Sequence, residues 1–158
     1  MYEYKCKILR VVDGDTVDVD IDLGFGMWMH RERVRMMGID TPESRTRDKV
    51  EKAFGLASKT RLKELLPIGS IQVLKTEIDR RGEDKKGKFG RILGDFLVDD
   101  GTRCTNILIS EGHAVAYFGG SKEEVQAKHM VNRDKLLREG VMPKDVYNKA
   151  VKQMEGKK

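Results

Sequence analysis

The chain has 158 residues, enough for one ordinary domain with its own core and too few for two. Lys and Arg (31) outnumber Asp and Glu (26), and a net charge of +5 with a pI near 9.2 suits a polyanionic partner better than an acidic one. Cys6 and Cys104 lack metal-type spacing and read as reduced, buried thiols, and no apolar run is long enough for a signal peptide or a bilayer span, so a cytoplasmic protein with no membrane partner is expected.

Residues 4–12 alternate as a strand, Asp13-Gly14 signals a turn, and 16–21 resume with strict alternation. Val17, Val19 and Ile21 share one face while Asp18, Asp20 and Asp22 share the other, the pattern of a solvated strand face. Pleating puts Asp15 on the apolar side with Val17, where an unpaired carboxylate is costly, so a cation or an arginine is expected beside it. Leu23-Gly24-Phe25-Gly26 reads as a hairpin loop. The third strand, 28–37, carries Arg31, Arg33 and Arg35 as a basic ladder, of which only Arg35 stands close to Asp40-Thr41-Pro42-Glu43, where Pro42 ends the ladder.

Helical spacing follows through Val50, Phe54, Ala57, Leu62 and Leu65, closed by Pro67 and Gly69. Residues 70–78 and 90–98 read as strands around a charged loop at 79–88, and 102–112 as a short helix ending at a glycine. Ser121 and Glu124 form a capping-box pattern that opens a helix towards Leu137, and 143–154 read as one more amphipathic helix or a frayed tail. The expected division is a domain over 1–140 and a C-terminal helical extension or tail over 141–158. The order of elements predicts an α+β fold, a five-stranded OB-type β-barrel with three flanking α-helices and an extra C-terminal helix, which leaves one face free for an oligonucleotide.

The chemistry lies in two acidic clusters, Asp13-Gly14-Asp15-Thr16 and Asp40-Thr41-Pro42-Glu43, bracketed by cations such as Arg35, Arg45 and Arg47 and by Lys88-Phe89-Gly90-Arg91 downstream. A phosphodiester is anionic and resists hydroxide, so its hydrolysis needs a hard cation, a base near a water and donors for the charge of the transition state. Carboxylates supply the first two and arginine forks the third. A few carboxylates completed by waters fit calcium or another hard cation, while no His/Cys set argues for zinc. His30, His113 and His129 lie in three separate segments and read as structural or solvated.

Taken together, Val12-Asp13-Gly14-Asp15-Thr16, Arg35 five residues ahead of Asp40-Thr41-Pro42-Glu43, Lys88-Phe89-Gly90-Arg91 and Glu111-Gly112-His113-Ala114 resemble the staphylococcal nuclease (thermonuclease-like) family over about Lys5 to Tyr117. The resemblance implies an OB-fold barrel with three helices and a calcium-dependent nuclease that cuts DNA and RNA to 3′-phosphorylated products. It makes Asp15 and Asp40 calcium ligands, joined by the Thr41 carbonyl. Glu43 becomes the general base or the organiser of the attacking water and its loop, and Arg35 and Arg91 the phosphate clamps. It sets Lys88, Phe89 and Tyr117 against the substrate. Phe89 replaces a frequent tyrosine, losing a hydroxyl but keeping a stacking face, and core packing is the other reading of Tyr117. Single-stranded substrates and a monomer are expected. The alternative is a non-catalytic nucleic-acid or protein-binding module on the same barrel.

Overall fold

The computed structural model describes residues 2–77, 91–98, 101–117 and 119–155. Its elements run β1 (Glu3–Asp13), β2 (Thr16–Gly24), β3 (Met27–Met36), β4 (Ile39–Asp40), α1 (Lys49–Leu65), β5 (Ile71–Thr76), β6 (Ile92–Leu97), α2 (Cys104–Glu111), β7 (Val115–Ala116), α3 (Lys122–Arg138) and α4 (Lys144–Glu155). Five strands close a barrel in the order β1-β2-β3-β6-β5, as the alternation predicts for an OB-type fold. Every neighbouring pair is antiparallel except the closing one, β3 with β6, where Val34, Arg35 and Met36 face Ile92, Leu93 and Gly94.

The barrel closes because its inward positions are large and branched. Ile8, Val11, Val17, Val19, Val34, Leu74 and Phe96 fill it, and Leu62 of α1 and Leu108 of α2 join the same core. Truncating such a buried leucine to alanine costs about 2–5 kcal/mol. Cys6 and Cys104 are free and buried, and loss of hydration raises each thiol to about 12, consistent with inert packing groups. The β2–β3 hairpin turns on Phe25 and Gly26, with φ of 55° and 74°, as a two-residue primed turn requires.

Helix α1 starts where the Asp48 carboxylate accepts from the Val50 and Glu51 amides, and α3 where the Ser121 hydroxyl accepts from the Glu124 amide. Gly112 ends α2 in the left-handed region. Residues 144–155 form a helix rather than a tail because Met142 and Tyr147 close a second core with Phe54 of α1 and Leu136 of α3. The Phe54 and Tyr147 rings meet edge to face at 6.2 Å. Among the described residues no helix is long and apolar enough to cross a membrane.

Candidate active site

Four segments meet at one mouth of the barrel: the β1–β2 turn, the end of β3, the stretch from β4 to Ser44, and the entry to β6. Asp13, Asp15, Thr16, Arg35, Asp40, Thr41, Glu43 and Arg91 line a pocket of about 230 Å³. Six sequence-derived site residues, Asp15, Arg35, Asp40, Thr41, Glu43 and Arg91, therefore come together. Tyr117 lies in an adjoining pocket of about 420 Å³ with Met37, Gly38, Arg103 and Asn106, and its backbone amide donates to the Gly38 carbonyl at 2.9 Å. Lys88 and Phe89 lie outside the described residues.

The acids are held by short-range bonds. Asp15 lies in the β1–β2 turn rather than on a pleated strand; it accepts from the Thr16 hydroxyl at 2.9 Å and faces an Arg35 guanidinium nitrogen at 3.3 Å, one of the two partners expected for it, a cation or an arginine. Its carbonyl takes the Met36 amide at 2.8 Å, tying the turn to β3. Asp13 accepts the Ser44 hydroxyl at 2.5 Å, so the two acidic clusters are bonded to each other. Arg35 also donates to the carbonyls of Met36 and Ile39, and this fixes its guanidinium in the bend that leads to Asp40. Asp40 is itself on β4, whose pairing with β7 sets Asp40 opposite Val115.

Helix α1 is the floor of this arrangement. A methyl group added at Gly55 would overlap the Glu43 carbonyl group and stand 2.7 Å from the Ser44 nitrogen, and one at Gly14 would stand 2.9 Å from the Ser58 Cβ. Both acidic turns thus rest directly on α1, each through a missing side chain.

Glu43 is exposed at the pocket rim, and its carboxyl is raised above the ordinary value of 4.5. Lost hydration contributes most, followed by the charges of Asp13, Asp15, Glu51 and Asp40. A carboxylate whose proton is held more tightly than usual is a stronger base once ionised. The donors here are all oxygen, and among the described residues no three His, Cys, Asp or Glu side chains are grouped to hold a metal alone. Asp15, Asp40 and the Thr41 carbonyl could hold a hard, oxygen-seeking cation.

Sequence reasoning left out two contributors. Asp13 belongs to the quoted motif but had no role, and here it links the clusters through Ser44. His129 had been set aside as structural or solvated. It is buried, and its Nε2 lies 2.7 Å from Asp40 Oδ2, from a helix 89 residues further along the chain. No local pattern in α3 announces that contact. His113 is buried in a different place, with Nδ1 unpartnered among the described residues and its protonation disfavoured by lost hydration.

The family model described as staphylococcal nuclease homologue matches residues 33–139. Micrococcal nuclease of Shigella flexneri is 32% identical over 119 residues, which is 73% of this chain and 59% of that protein. Endonuclease YncB of Bacillus subtilis is 32% identical over 109 residues, 68% of this chain and 46% of that protein. Endonuclease YhcR of the same organism is 27% identical over 121 residues, where the match spans 73% of this chain and only 9% of that protein. The chain thus spans less than two thirds of the length of these relatives.

Proposed function

The chain belongs to the staphylococcal nuclease family, and we propose that its acid-lined pocket hydrolyses phosphodiester bonds of DNA and RNA with calcium, leaving 3′-phosphorylated ends. The observation that carries this reading is the convergence of Asp15, Asp40 and Glu43 with Arg35 and Arg91 on one pocket, with the Glu43 carboxyl raised first by lost hydration and then by its acidic neighbours. A purely structural or binding module would gain nothing from crowding like charges in this way.

Asp15, Asp40 and the Thr41 carbonyl would hold the cation, which when bound supplies positive charge to a non-bridging phosphoryl oxygen. Glu43 takes a proton from the attacking water or orders that water for attack. Arg35, already fixed by the Met36 and Ile39 carbonyls, presents its remaining N–H groups to the phosphoryl oxygens without reorganising first. Arg91 offers a second planar fork from the start of β6. Tyr117, 40% exposed, offers a stacking face to a base beside the cut bond, and an unpaired strand meets that face more readily than a stacked duplex does. Lys88 and Phe89 belong to the same substrate contact by family resemblance.

The test is incubation of the purified protein with labelled single-stranded DNA and RNA, in calcium and then in excess chelator. Cleavage in calcium, faster on single strands than on duplex and ending in 3′-phosphates, is the expected result. Undiminished cleavage in chelator rejects the metal-dependent reading, and binding without cleavage in either condition supports a non-catalytic module.

A further inference from the structure

The pairing of β2 with β3 slips once in mid-strand: Val19 faces Glu32 but Ile21 faces Met29, so His30 and Arg31 together oppose Asp20. This is a β-bulge. Arg31 sits in it at φ 55°, a left-handed backbone that a long side chain rarely adopts, and its amide donates to the Asp20 carboxylate at 2.8 Å. The extra residue changes which side chains face the core. Met29 packs against the barrel interior, and so do Val34 and Met36, although Val34 follows Met29 by an odd offset of five positions. Uninterrupted alternation from Met29 would carry Arg31, Arg33 and Arg35 inward with it. With the bulge, all three stand outside.

Outside them is a cleft of about 520 Å³ bounded, among the described residues, by Arg31, Arg33, Arg45 and Arg91 and by two carboxylates, Asp13 and Asp18. It shares Asp13, Thr16 and Arg91 with the acid-lined pocket, so the two are continuous, and it shares no residue with the pocket of Tyr117. Asp18 grips Arg33 through both Nε (2.8 Å) and a terminal nitrogen (3.2 Å), fixing that fork in place. Among the described residues neither Arg31 nor Arg45 has a carboxylate partner. Among the described residues the lining carries four guanidinium groups and no aromatic ring, which suits a phosphate chain.

We propose that this cleft is a second substrate subsite, which binds the phosphodiester backbone of the same strand beyond the bond being cut, on the side away from Tyr117. The subsite rests on the nuclease reading of the adjoining pocket. Its recognition is electrostatic, indifferent to base and sugar, and dependent on substrate length.

The test variant is Arg31→Gly with Arg45→Ala, since glycine accepts the left-handed backbone and the fold is retained; Arg31→Asn serves as a second form. Lys149→Ala with Lys152→Ala, on α4, removes the same charge elsewhere. Binding of a fluorescent single-stranded dodecanucleotide is measured in chelator over a range of salt, and kcat/KM in calcium for the dodecanucleotide and for a dinucleotide. Losing two phosphate contacts should flatten the slope of log K against log salt by about 1.4. It should also reduce the preference for the longer substrate by roughly ten-fold, a shift that the α4 variant should not reproduce. A wild-type slope and length preference in the arginine variant overturns the subsite while leaving the nuclease reading standing. Equal losses in the α4 variant overturn it in favour of bulk charge. If the wild-type protein binds the oligonucleotide and never cuts it, the nuclease reading fails and the binding arm alone decides the subsite; no binding at all overturns both.

Discussion

Replacing Gly55 by alanine sets two effects of opposite sign against each other. In an open helix, alanine is favoured over glycine by about 1 kcal/mol. At this position the new methyl would stand 2.7 Å from the Ser44 nitrogen and overlap the Glu43 carbonyl group, against a comfortable separation of about 3.5 Å or more, so α1 and the acidic turn must part by roughly 0.8 Å. Overpacking of this kind costs about 1–3 kcal/mol, which leaves a net loss of about 1 kcal/mol and a melting temperature lower by about 3 °C for a chain of this size. The larger consequence is positional. Glu43 and the bond from Ser44 to Asp13 move with the turn, and a displacement near 1 Å in a catalytic group can cost about 10²-fold in rate. Urea unfolding with an unchanged m-value gives the stability term, and single-turnover cleavage of a short oligonucleotide gives the rate. A Gly55→Ala protein that is about 1 kcal/mol more stable and cuts at the wild-type rate would refute the idea that the turn rests on the helix.

Glu43→Gln should lower cleavage by about 10²–10⁴-fold while oligonucleotide binding persists, measured by pre-steady-state turnover beside anisotropy. Because the folded protein holds the Glu43 proton more tightly than the unfolded chain, wild-type stability falls as pH rises from the ordinary carboxyl range through the raised value. Metal-free Glu43→Gln should therefore melt higher than wild type above that range and together with it below; a gap that instead widens towards acid pH contradicts the assigned crowding. Arg91→Lys keeps the charge but not the fork and should lose about 10²-fold or more in kcat, so near-normal turnover would reduce Arg91 to a packing residue. His129→Leu should weaken calcium binding by about 10–100-fold in calorimetric titration of the metal-free protein, with part of the loss recovered in His129→Gln, since an Asp40 carboxylate without its donor is free to turn. Equal affinities in all three proteins would show that Asp40 needs no such support.

The local patterns carried most of the architecture. Strand alternation and the punctuation at Asp13-Gly14, Pro42, Pro67 and Gly112 set most element boundaries to within about two residues, the end of β2 at Gly24 excepted, because those signals act over distances shorter than a turn or a pleat. Asp15 was legible as a carboxylate in need of a partner, and Arg35 is that partner. The remainder depends on contacts with no local imprint. Strands β4 and β7 have two residues each, too few for a period, yet they set the position of Asp40. The bulge at Arg31 is a slip between two strands that the alternation of either strand alone does not show. His129 meets Asp40 through the docking of α3, and Gly55 reads as a weak helix residue until the turn above it is seen. Residues 144–155 were ambiguous because an isolated twelve-residue helix is marginal in water, and its packing against Phe54 decides the outcome.

The seam between β3 and β6 also sets the order in which the protein gains its chemistry. Among the described residues those strands join through three residue pairs, and they are separated in the chain by β4, α1 and β5, so the cost of closing a long loop must be met before the seam forms. A chain leaving the ribosome exposes Asp15, Arg35, Asp40 and Glu43 long before Arg91 is made, and Arg91 reaches them only once β6 has zipped onto β3. A half-made or heat-opened molecule consequently holds the acids without the second guanidinium.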